Sequence, residues 1–270
     1  MGRLRESSPI FRLWRWCDTK WMRNSDRIVC IAEGMAERIV RTRGISASKV
    51  LAIHDGFDPN RVGPDALADS SKPNSFQKEF NPDRKIVVQY AGNMGLSHPF
   101  ETIMQACARF AADDRVQFQF IGGGPQREYV RANLPKNGVL IDYQPIERLG
   151  ELLSAADICL ISQHEEMFDK ALPYKVYGVF AAGKPTVFVG NGQSEIVRWL
   201  IESHVGLAVR QGDVDGLRAL TRLLDDSEER LEMGKAARAL LDRALHAEQA
   251  AKQWAELIVE LIPEQKSAHQ

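Results

Sequence analysis

Three stretches of this chain hold residue types able to bind and polarise a charged ligand. Residues 168–190 read FDKALPYKVYGVFAAGKPTVFVG. Pro173 suits the first turn of a helix, and Lys175 in that turn sets a mobile cation beside backbone N–H groups that lack partners inside the helix. A diphosphate would fit there; the alternative is a solvated lysine, with Tyr174 or Tyr177 packed at a core edge. Residues 90–101 read YAGNMGLSHPFE, where Gly92 and Gly95 let backbone approach a ligand and a helix starting near Pro99 directs N–H groups at an anion. The same glycines also suit an ordinary strand-to-helix turn. Residues 121–128, IGGGPQRE, bring three glycines after a buried strand. Read as a dinucleotide fingerprint, Gly122 and Gly124 fit the first two glycines and Asp142 lies at the spacing of a ribose contact, but Arg127 replaces the third glycine. None of the six histidines forms H-E-x-x-H, and QHEEM at 163–167 lacks the spacing of a helical zinc pair. No metal is therefore expected, and ligand charge must be met by protein groups.

Loops of this kind need a rigid frame, and the sequence supplies one. Eight short apolar, β-branched runs (27–32, 49–54, 85–92, 116–122, 138–143, 157–162, 185–190 and 206–210) alternate with helix-periodic segments such as FETIMQACARFA and SEIVRWLIES. That alternation predicts parallel βαβ units and a Rossmann-like doubly wound α/β sheet. Residues 85–245 supply six strands, enough for a complete domain, whereas 1–58 supply two strands and two helices, too few to cover a parallel sheet. Residues 59–84 are polar, carry Pro59, Pro64, Pro73 and Pro82, and read as a linker. In the tail, 246–270, Ala250, Trp254, Leu257, Ile258 and Leu261 share one helical face that needs an apolar surface.

Composition narrows the classes further. With 44% apolar and 26% charged residues over 270 positions, the chain reads as a soluble globular protein. A net charge of −1 gives no global basic field, so nucleic acid is not an expected partner. Cys17, Cys30, Cys107 and Cys159 form no C-x-x-C pair and two sit in apolar runs, which suggests reduced thiols and the cytoplasm. No apolar run reaches the roughly 18 residues that span a bilayer, and no signal core precedes the fold, so the mature chain is expected to begin at Met1. The segment MGRLRESSPIFRLWRWCDTKWMR puts Ile10, Leu13, Trp14, Cys17 and Trp21 on one helical face, with Arg3, Arg5, Arg12, Arg15, Lys20 and Arg23 around it. Such a helix packs on a sheet supplied by a further half-domain, or lies on an anionic membrane surface.

Taken in order, residues 85–245 resemble the donor-binding half of a GT-B glycosyltransferase of family 4, the retaining enzymes of polysaccharide biosynthesis. The resemblance runs through YAGNMGLSHPFETIMQA, FIGGGPQREYV, DYQPIERLGELLSAADICLIS, ALPYKVYGVFAAGKPTV and GQSEIVRWLIESHVGLAVRQGDVDGLRALTRLLDD. Residues 25–58 look like the end of the family's N-terminal domain, most of which is absent. It implies a nucleoside-diphosphate sugar donor, by default UDP-linked, no other cofactor, and a glycan or lipid-linked acceptor. It also implies hexosyl or N-acetylhexosaminyl transfer with retention, at the inner face of the membrane, with the acceptor groups on a separate N-terminal chain or missing region. Donor contacts carry over to Gly92, Asn93, Gly95, His98, Gly123, Gly124, Tyr143, Gln144, Asp169, Lys170, Pro173, Lys175 and Gly178. The family's basic pair falls on Asn93 and His98, and its two glutamates on Lys170 and Gly178; Asp169 and Glu166 are near enough to replace the second acid, and Tyr174 replaces a serine. A polysaccharide-building subgroup has the same Gly-Asn-x-Gly loop and also lacks that acid. No catalytic nucleophile is implied. A non-catalytic nucleotide-sugar binder, an epimerase of similar fold and a nicotinamide oxidoreductase are the rival readings.

Overall fold

The computed structural model describes residues 7–62 and 74–262. Within them, all eight apolar runs form strands, each a little shorter than its run because the flanking residues turn into loops. The first two, β1 (Ile28–Cys30) and β2 (Val50–Ala52), pair in parallel as a small separate sheet. The other six are β3 (Ile86–Ala91), β4 (Val116–Ile121), β5 (Gly138–Ile141), β6 (Ile158–Ser162), β7 (Thr186–Val189) and β8 (Gly206–Val209). They form one parallel sheet in the order β5-β4-β3-β6-β7-β8. This is the doubly wound α/β arrangement expected from the sequence. Its winding reverses between β3 and β6, and the loops leaving those two strands diverge to opposite sides, opening a crevice where such folds bind ligands.

Helices cover both faces, which is why β6 is buried along its whole length and carries no charge. One face is packed by α6 (Leu149–Ser154), α7 (Lys175–Ala181), α8 (Glu195–Glu202) and α10 (Ser227–Leu240). The other is packed chiefly by α4 (Glu101–Arg109) and α9 (Ala219–Asp225), with α5 (Arg127–Ala132) contributing Val130. Strand alternation sends Val88 and Tyr90 to the second core and Gln89 and Ala91 to the first, beside α6.

The smaller part holds α1 (Pro9–Asn24) and α2 (Glu33–Arg43), and is joined by the last helix, α11 (Ala247–Leu261). The chain returns to it through one π-helical turn, Leu241–Leu245, beside Phe57. Gly56 has φ 67° there, and a side chain on it would come within 2.9 Å of the His246 carbonyl. On α11, Ala250 and Leu257 are buried against Ile53, Val29 and Leu51, while Trp254, Ile258 and Leu261 stay exposed. Only part of the expected apolar face therefore finds a surface among the described residues.

The stretch read as a linker, 59–84, contains more structure than its composition suggests. Residues 63–73, with Pro64 and Pro73, lie outside the described residues. Beyond them α3 (Ser75–Phe80) starts at a capping box between Asn74 and Gln77 and buries Phe76 completely. Asn74 Nδ2 donates to Glu151 O and Ser154 Oγ, both at 2.8 Å, fixing α3 to α6.

Candidate functional site

A cavity of about 340 Å³ opens at the carboxyl ends of β3, β4 and β6, where the winding reverses. Its inner wall is aliphatic, made by Ile121, Leu152, Leu153, Cys159 and Val179. Tyr143 and Tyr174, both substantially exposed, line it nearer the surface with Arg61 and Lys175. Among the described residues the lining thus contains two cations and no carboxylate.

The loops around it are held rigidly. Gly92 N donates to Ile121 O (2.9 Å) and Met94 N to Gly123 O (2.7 Å), stitching the loop after β3 to the loop after β4. Gln126 Nε2 donates to Gly95 O (2.7 Å) and His98 O (2.8 Å). Gly122 has φ 125°, and a Cβ there would stand 2.3 Å from Gly92 O; one on Gly124 would stand 2.4 Å from Asn93 Oδ1. The glycines of IGGGP are therefore required for loop-on-loop packing, a reason different from the ligand approach expected of Gly124. Gly123 faces the ring of Tyr143, whose hydroxyl donates to Gly123 O at 3.3 Å.

Lys175 is the best-placed charged group. It begins α7, lies against Gly92, and its Nζ donates to Tyr90 Oη at 2.6 Å, while Tyr90 in turn donates to Asn93 O at 2.8 Å. The ammonium also sits 3.8 Å from the centre of the Tyr90 ring. Burial, uncompensated by any carboxylate among the described residues, brings its pKa down to about 7. Burial raises the Tyr90 hydroxyl's pKa, with Tyr143 adding to it, so Tyr90 stays a neutral hydrogen-bonding partner.

Other residues named from the sequence fall differently. His98 donates from Nδ1 to Ser162 O at 2.6 Å, and burial, then the charge of Lys175, lowers its pKa; it is a neutral group fixing the β3 loop to β6, not a second cation. Asp169, expected beside the nucleoside, is buried between Arg38 (3.3 Å) and Arg41 (3.0 Å) of α2 and lies outside the cavity lining. Lys170 and Glu166 are exposed and also outside it. Pro173 is buried two residues ahead of α7 rather than in its first turn, its carbonyl accepting from Val176 N at 3.1 Å. Gln144 and Gly178 do line the cavity, although Gln144 Oε1 already accepts from Arg148 at 2.9 Å. Asp142, the acid of the dinucleotide reading, is paired with Arg127, the residue in place of the third glycine. Two polar lining residues were not singled out from the sequence. Arg61 was hidden in the polar linker, and Gln89 in the apolar run KIVVQYAG, where a lone amide on a core-facing position was the available signal.

Residues 71–240 match the model of the Glycosyl transferases group 1 family, and the chain belongs to that family. Its parallel six-stranded sheet matches GT-B glycosyltransferase structures. WbjE of Pseudomonas aeruginosa, whose name makes it a probable glycosyltransferase, is 27% identical over 229 residues, covering 83% of this chain and 55% of its own length. WcaI of Escherichia coli (strain K12), named for colanic acid biosynthesis, is 24% identical over 193 residues, 70% of this chain and 46% of WcaI. The chain thus spans about half the length of these curated relatives. Among solved structures, Anabaena HepE in complex with UDP-glucose superposes with a TM-score of 0.75 at 14% identity, over 94% of this chain and 70% of that one. No helix among the described residues is long and apolar enough to cross a membrane.

Proposed function

We propose that this chain is the donor-binding half of a glycosyltransferase of polysaccharide biosynthesis. It takes a nucleoside-diphosphate sugar, UDP-linked, into the cavity at the ends of β3 and β6. The sugar, a hexose or N-acetylhexosamine, passes with retention to a glycan or lipid-linked acceptor held by groups outside this chain. The observation that carries this reading is the lining itself, which among the described residues holds Lys175 and Arg61 and no carboxylate, in a chain of this family. An anionic diphosphate would supply the counter-charge that Lys175 lacks. Bond cleavage at the anomeric carbon leaves growing negative charge on the diphosphate, and a fixed cation in a poorly solvated place stabilises that charge more than it stabilises the ground state. His98, already committed through Nδ1 to Ser162 O, keeps the β3 loop against β6 so that the diphosphate and Lys175 meet in one geometry.

Residues 7–24 carry the acceptor-side part of the reading: the basic, tryptophan-bearing α1 rests on an anionic membrane surface, at the cytoplasmic face where a lipid-linked acceptor is presented. The missing acids at Lys170 and Gly178 favour one rival, a donor binder without catalysis. Calorimetry in chelator distinguishes donor binding from its absence: UDP and UDP-glucose are expected to bind, with uridine much weaker. Folded protein that gives no heat with UDP, GDP or their sugars overturns the proposal. Release of UDP from a bound UDP-sugar, once the missing half is supplied, separates the enzyme from the inert binder.

A further inference from the structure

The cavity continues beneath the diphosphate end to a single polar side chain that the nucleotide reading does not use. Gln89, in the middle of β3 and 1% exposed, lines this inner part among Leu152, Leu153 and Cys159. Its Nε2 donates to Leu152 O at 3.0 Å and to Gln119 Oε1 at 3.2 Å. Because Leu152 O is a backbone acceptor, turning the amide over would set two oxygens against each other, so the orientation is fixed. Gln89 Oε1 is then left buried without a partner among the described residues, a state that costs free energy unless something donates to it. At Gly178, which also lines the cavity, a Cβ would meet only Leu153 Cδ1 at 3.4 Å and Phe57 at 3.9 Å and beyond, so this position leaves open space and supplies no acid of its own.

From this we infer that Gln89 is a specificity-determining residue that accepts a hydrogen bond from a ribose hydroxyl of the donor nucleoside. The inference rests on the nucleotide reading above and names the group that takes over where no carboxylate reaches the sugar. A base edge suits the site poorly: uracil, cytosine and the purines all place an acceptor next to each N–H, and this wall offers no second donor for it, since Gln89 Nε2 is already engaged. A vicinal diol has no such difficulty. One hydroxyl donates to Gln89 Oε1, the other donates to the first, and the C–H face of the ribose ring rests on the leucines.

Titration calorimetry with UDP, 2′-deoxy-UDP and 3′-deoxy-UDP tests this. The unaltered chain should bind UDP about tenfold more tightly than at least one deoxy analogue, the cost of leaving one buried acceptor unpaired. Gln89→Met should bring UDP down to the affinity of that analogue and leave the analogue itself unchanged. Equal affinity of the unaltered chain for all three nucleotides overturns the assignment without touching the proposed function, and needs no variant to fold. Discrimination that survives in Gln89→Met overturns it as well. Absence of binding by any of the three overturns the nucleotide reading and this subsite together.

Discussion

At the scale of single residues, the behaviour of Lys175 follows from what does not surround it. An ammonium held by a tyrosine hydroxyl and ring, with no carboxylate among the described residues of the cavity lining, loses hydration without recovering it in ion pairing, and its pKa falls to about 7. The group is thus lowered below its unfolded value of about 10.4. Between those two values the unfolded chain binds the extra proton, so the native state's cost of holding Lys175 is greatest below pH 7 and fades as pH rises. A bound diphosphate reverses the balance by favouring the charged form. UDP is already fully ionised above pH 7, its last phosphate pKa being near 6, so any proton taken up on binding goes to the protein. We expect UDP affinity to fall by up to about tenfold per pH unit between pH 7 and 9, with proton uptake visible as a buffer-dependent enthalpy. Lys175→Met should flatten that profile and weaken UDP about tenfold or more while leaving uridine nearly unchanged. A flat profile in the unaltered chain would show that Lys175 is not the group facing the diphosphate. Asp169 gives the contrasting case. The sequence placed it near a nucleoside because it lies in the right segment, but segment alone does not say which way a side chain points. Here two arginines of α2 claim it.

That pair belongs to the scale of elements, because it is one of two polar ties that fasten α2 and β2 to the large sheet. In the other, Glu195 at the start of α8 accepts from the Glu33 backbone N–H (2.8 Å), meets His54 Nε2 at 2.7 Å, and is braced by Arg198 at 3.1 Å. Asp169 is 4% exposed while its partners are more open to water, so Asp169→Asn should cost about 1–2 kcal/mol, less than a fully buried pair. The expected result is a lower midpoint in thermal or urea unfolding with UDP affinity unchanged. A loss of UDP affinity at unaltered stability would return Asp169 to the nucleoside. These ties could not be read from the sequence, since they join residues 128 to 162 positions apart, whereas the strands and helices could, since periods of two and 3.6 are local. The same distinction explains the site. Lys175 and Gly92 lie in segments that follow strands, and the rule that ligands gather at the carboxyl ends of parallel strands located them, whereas Tyr143 came with the family resemblance. Gln89 and Arg61 reach the cavity through packing: one from mid-strand, the other from a crossing segment whose polar composition resembled a spacer. Helix α3 was missed for a related reason. Its six residues are too few for periodicity to register, and its capping box was the only local signal.

Over the whole of the described structure, the large sheet is covered on both faces and the small one is not. The two-stranded sheet β1-β2 is packed by α2 and part of α11, while Trp254, Ile258 and Leu261 of α11 remain exposed. Helix α1 buries no residue: Ile10, Leu13, Trp14, Trp16 and Trp21 are all more than half exposed. It is tied to α2 by polar contacts, Arg43 with Asp18 at 2.7 Å and Arg15 with Thr42 O at 3.1 Å. Its remaining basic residues, Arg12, Lys20 and Arg23, surround indoles that suit the headgroup region of a bilayer, where each added basic residue contributes about 1 kcal/mol. Because the chain as a whole carries a net charge of −1, attraction to an anionic surface must be local to this helix and must weaken as salt rises. Arg3 and Arg5, which lie outside the described residues, belong to the same basic segment of sequence. We therefore expect the chain to sediment with phosphatidylserine-containing vesicles at low salt, and to be released at about 0.5 M salt, where the screening length falls to a few ångströms. Replacing Arg12 and Arg23 by glutamate should cut binding at least tenfold, since two favourable contributions become repulsive. Replacing Trp14, Trp16 and Trp21 by serine should weaken it even at low salt. UDP affinity should be unchanged in both variants, because α1 contributes nothing to the cavity lining. Vesicle binding that persists at high salt or in the glutamate variant would rule out the electrostatic anchor, whereas absence of vesicle binding at low salt would remove the membrane from the reading and leave α1 and the exposed face of α11 as docking surfaces for the groups that complete the active site.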